Sequence, residues 1–67
     1  GLKENARDTY QALLKIHPQA WDSYYELGKV YISMGNKAEA KSVFEQLLKQ
    51  KPNYRAAAEI RKLLGSL

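Results

Sequence analysis

Between residues 20 and 34, Tyr24, Leu27, Gly28, Tyr31 and Met34 recur at steps of three and four, with Asp22, Tyr25, Glu26, Lys29 and Ser33 on the opposite side. That period belongs to a helix with one apolar face. Gly35 follows where a left-handed terminator would sit. Asn36 then suits an N-cap, and Glu39, three positions on, suits its capping-box partner. In the next segment Ala40, Val43, Phe44, Leu47 and Leu48 face one way and Glu39, Ser42, Gln46 and Lys49 the other, with Glu45 and Lys49 spaced as a favourable pair. Pro52 disfavours helix at Lys51. Asn53 is expected to cap a last helix that buries Ala56, Ala57, Ile60, Leu63 and Leu64, shows Arg55, Glu59 and Lys62 to water, and ends at Gly65.

The chain also echoes itself. A shift of 34 residues places Gly1 on Gly35, Lys3 on Lys37, Ala6 on Ala40, Leu13-Leu14-Lys15 on Leu47-Leu48-Lys49, and Pro18 on Pro52. The echo predicts a first helix over 3–16 with Ala6, Tyr10, Leu13 and Leu14 inward, frayed at its start because no capping pair precedes it. No segment alternates with period two. The pattern therefore predicts an all-α fold of about four helices, with connections short enough for antiparallel neighbours.

At 67 residues the chain has room for one small core, and without cysteine that core has no disulfide or thiolate–metal support. Cysteine absence leaves the redox compartment open. A hydrophobic fraction of 45% beside 27% charged residues is globular, and no apolar run is long enough for a membrane span. The net charge of +4 is spread among mixed signs, which reads as a solvated surface more than a nucleic-acid stripe.

The spacing Tyr24-x-x-Leu27-Gly28-x-x-Tyr31, then Ala40-x-x-x-Phe44, then Pro52 resembles the tetratricopeptide repeat family, with Tyr24 where the family pattern has Trp. Each residue has a physical reason. Gly28 lets two helices approach, Tyr31 and Phe44 fill the space beside it, Ala40 is small at the crossing, and Pro52 separates one hairpin from the next. The resemblance implies a right-handed α-solenoid of antiparallel helix-turn-helix units. Residues 1–18 would be the second helix of a preceding repeat, 19–52 one full repeat, and 53–65 a capping helix at the C-terminal end of an array, its Arg61-Lys62 standing where a further repeat would carry Leu-Gly.

The resemblance further implies a non-catalytic module or scaffold that binds a peptide or protein segment on the concave side of the first helix of the hairpin. The residues so placed are Asp22, Tyr25, Glu26, Lys29 and Ser33. Trp21 is either an aromatic anchor for a partner or packed against the first helix near Ile16. The clamp with which some members grip acidic chaperone tails is not matched, because Tyr25 and Glu26 stand where it places Lys or Asn. A single-stranded RNA reading has only Tyr25 and Tyr54 as free stacking platforms. Weak self-association through an incomplete N-terminal edge is a further expectation. The sequence has no converging catalytic set, phosphate loop or paired-histidine metal pattern, so no enzyme, metal or cofactor is expected. His17, the one histidine, precedes Pro18 in a turn.

Overall fold

The computed structural model describes all 67 residues. Four helices follow one another: α1 (Leu2–Ile16), α2 (Trp21–Ser33), α3 (Lys37–Gln50) and α4 (Ala57–Ser66). Helix α2 packs on α1 and α3, and α3 packs in turn on α4.

The two prolines write the same turn twice. His17 and Lys51, each preceding a proline, leave the helix with nearly matching backbone, φ −127° and ψ 78° against φ −138° and ψ 73°. Their amides still donate four residues back, His17 to Leu13 at 2.7 Å and Lys51 to Leu47 at 2.8 Å. Pro18-Gln19 and Pro52-Asn53 then occupy the centre of tight turns closed by Ala20 onto His17 at 3.0 Å and by Tyr54 onto Lys51 at 3.1 Å. This corrects the expected start of the last helix. Asn53 serves the turn and caps nothing. Helix α4 begins only at Ala57, behind Ala56. It also continues through Gly65 to Ser66, so Gly65 does not end it.

Gly35 does terminate α2. Its φ of +79° is the one positive value in the chain, and it sets up a Schellman pair: Gly35 N–H to the Ile32 carbonyl at 3.0 Å and Asn36 N–H to the Tyr31 carbonyl at 2.9 Å. Asn36 occupies the N-cap position of α3, but its side chain makes no capping bond. The expected capping box with Glu39 is excluded for a plain reason. The Asn36 amide that Glu39 would bind is already given to Tyr31. Nor does Glu45 pair with Lys49. The ion pair along a helix forms instead between Lys29 and Glu26, at 3.2 Å, and exposed pairs of this kind contribute little in either place.

The core lies on α2 and α3. Tyr24, Leu27, Tyr31, Ala40, Phe44, Leu47, Tyr54 and Ile60 form one buried cluster, with Phe44, Leu47 and Ile60 wholly enclosed. Phe44 seats against Gly28, where an added Cβ would lie less than 3.0 Å from three carbons of the ring. Helix α1 buries no residue completely. Tyr10 and Leu14 pack against the cluster, and the Gln11 amide donates to the Tyr31 hydroxyl at 2.5 Å. Leu13, expected inward, is 37% exposed, while its counterpart Leu47 is at 0%. The difference is in the neighbours, since α3 lies between α2 and α4 whereas α1 touches α2 alone. No helix is long and apolar enough to cross a membrane.

Candidate interaction groove

Helix α2 turns its polar side toward α4, and the two helices meet through side chains. The Tyr25 hydroxyl donates to the Glu59 carboxylate. Lys29 Nζ stands 4.6 Å from the centre of the Tyr25 ring, within cation–π range. Between them runs an open groove of about 360 Å³, with Tyr25, Lys29 and Ile32 on the α2 wall and Glu59 and Leu63 on the α4 wall. Facing residues are one repeat apart, for Tyr25 and Glu59, like Lys29 and Leu63, are separated by 34 positions. A solenoid brings equivalent positions of successive units side by side.

One turn earlier lies a second contact. The Tyr54 hydroxyl donates to Asp22 Oδ1, and Arg55 donates to the same oxygen at 2.9 Å. The Arg55 guanidinium also lies 5.6 Å from the Tyr54 ring centre. The Tyr54 hydroxyl, with Arg55 in support, holds the Asp22 carboxyl below its ordinary value. Burial, reinforced by the adjacent carboxylate, pushes the Tyr54 hydroxyl up to about 12. These bonds fasten the α3–α4 connection to the start of α2.

The five expected binding residues thus divide. Tyr25 and Lys29 line the groove, and Glu26 stands at its edge, paired with Lys29. Asp22 belongs to the Tyr54–Arg55 contact. Ser33 turns its hydroxyl onto the Val30 carbonyl of its own helix at 2.7 Å, and its own carbonyl accepts from Lys3 at 2.9 Å. Ile16 is 71% exposed, and Trp21 is partly buried against the core cluster. It stacks on Tyr24 with ring centres 6.0 Å apart. Tyr54, read from sequence as free, is buried, because the Pro52-Asn53 turn directs its ring beneath α2. The sequence reading missed the α4 wall, Glu59 and Leu63. The 34-residue shift that revealed the echo also places those two opposite Tyr25 and Lys29.

The tetratricopeptide repeat family model matches residues 4–67. The chain belongs to that family. Searches of curated proteins and of solved structures returned no match. Tetratricopeptide repeats generally mediate protein–protein interaction.

Proposed function

We propose that this tetratricopeptide domain is a non-catalytic interaction module that holds a peptide or protein segment in the groove between α2 and α4. The observation that carries the reading is the groove itself. It joins apolar walls, Ile32 and Leu63, to a fixed aromatic ring and to charged groups held in defined pairs. Its walls are ordered before a partner arrives, so most of the ordering cost falls on the partner segment. The single-stranded nucleic-acid reading is weaker on this geometry. Tyr54 is enclosed, and the Tyr25 hydroxyl and ring face are both engaged within the protein, which leaves no free stacking platform of the kind that reading needs.

The test is a selection of random peptides on the immobilised chain, followed by hydrogen-exchange mapping of the selected binders. Protection confined to α2 and α4, and lost in a Tyr25→Ala/Lys29→Glu variant of unchanged helical circular dichroism, is the expected result. Binders that protect only α1 or α3 would place the working surface elsewhere. Preferential capture of single-stranded oligonucleotides, with affinity falling steeply with salt, would replace this reading by the nucleic-acid one.

A further inference from the structure

Charge is not evenly shared among the helices. Helix α1 carries Lys3, Arg7 and Lys15 against Glu4 and Asp8, α3 carries Lys37, Lys41 and Lys49 against Glu39 and Glu45, and α4 carries Arg61 and Lys62 against Glu59. Only α2 has more acids than bases, Asp22 and Glu26 against Lys29. In a chain of net charge +4, α2 is thus the one net-negative helix, while the charges on the groove walls are Lys29 from α2 and Glu59 from α4.

Within that region the carboxylates are unequally satisfied. Asp22 is neutralised by Arg55 at 2.9 Å and Glu26 by Lys29 at 3.2 Å. Glu59 receives only the neutral hydroxyl of Tyr25 and has no cationic partner. That hydroxyl fixes Glu59 on the groove wall beside Leu63, across from Lys29 and Ile32. The site thus combines an oriented carboxylate lacking a counter-charge with an apolar wall. The Tyr25 ring already holds one ammonium, that of Lys29, over its face.

We propose, building on the interaction reading above, that the occupant of this groove is a peptide segment with an Arg or Lys side chain close in space to an aliphatic one. The cation pairs with Glu59, and the aliphatic group covers Ile32 and Leu63. Arginine is the better fit. Its planar fork can use the Glu59 oxygen that Tyr25 leaves free. An acidic segment is disfavoured, because it would bring a second anion to an uncompensated carboxylate while Lys29 is already paired.

The experiment measures, by calorimetry on the full chain, three peptides of one length and one aliphatic content. One carries a Leu with Arg four residues on, the second Glu in place of Arg, and the third citrulline. The arginine peptide is expected to bind most tightly, and Glu59→Gln should weaken it about three- to tenfold, the range for loss of a charge-assisted contact in a partly open site. In Glu59→Lys the order of the arginine and glutamate peptides should reverse. Equal or tighter binding of the glutamate peptide to wild type, still abolished by Leu63→Asp, would overturn the cationic partner and leave the groove reading standing. Binding of any of the three that survives both Leu63→Asp and Tyr25→Ala would overturn both. So would no binding by any of them together with random-peptide binders that leave α2 and α4 unprotected. Circular dichroism of each variant separates these outcomes from unfolding.

Discussion

Gly28 is where one methyl group decides between two opposing effects. Alanine is the better helix former by about 1 kcal/mol, so on propensity alone Gly28→Ala should stabilise α2. The added carbon would meet the Phe44 ring, which is wholly enclosed and has no room to yield. Overpacking of this kind costs about 1–3 kcal/mol. We expect a net loss of about 0–2 kcal/mol, each 1 kcal/mol of it lowering the thermal midpoint by about 4–8 °C in a chain of this size; a higher midpoint would refute the close approach. Tyr54 makes a second residue-scale prediction. Its folded value of about 12 lies above the ordinary tyrosine value near 10, so its contribution is full below pH ~10 and is lost as pH rises toward ~12. Asp22 has the opposite sign. Its folded value is lowered, so its contribution is present above the ordinary aspartate range and lost as pH falls through the lowered value. A near-ultraviolet absorbance titration should include a tyrosine step near pH 12 that is absent in Tyr54→Phe. At this scale Gly28 and Gly35 were readable in the sequence, because a close approach and a left-handed turn each demand glycine. Tyr54 was not. Nothing local separates a tyrosine that stacks in solvent from one that folds beneath a helix 32 positions away.

The elements differ in how firmly they are held. Helix α3 lies between two neighbours with Ala40, Phe44 and Leu47 at 0% exposure, whereas α1 has one neighbour and no buried residue. Local opening follows burial. Amide exchange should therefore be fastest in α1 and slowest in α3; the reverse order would contradict this packing. Leu2, Leu13 and Ile16 remain exposed on α1, so Ile16→Lys should leave the unfolding free energy from denaturant titration within about 0.5 kcal/mol of wild type. Helix number, order and inward faces were legible because the 3.6-residue period and the 34-residue echo agree. Boundaries were less so. Asn53 can serve a turn or a cap, and only the closure of Tyr54 onto Lys51 selects the turn. At Asn36, position was readable but the competition for one amide was not.

The whole molecule measures 30 × 26 × 16 Å, and only 11 of its 67 residues are buried. Such a slab has little stability in reserve, about 3–5 kcal/mol for cores of this size. Phe44→Ala removes the ring at its centre at a cost of about 3–5 kcal/mol. It should abolish cooperative unfolding, leaving a shallow thermal profile with little helical signal at 25 °C; a sharp transition would show that the core does not depend on that ring. The groove was half legible. The α2 wall followed from one helix's polar side. The α4 wall required carrying the repeat shift past Pro18, where residue identities stop and only positions still correspond. Trp21, the only tryptophan, stands stacked on Tyr24 at the start of α2, beside the Asp22–Tyr54–Arg55 contact that anchors the α3–α4 connection. The protein thus carries its own optical gauge at that joint. A change in indole emission on warming, before helical signal falls, would time the release of α4 without any label.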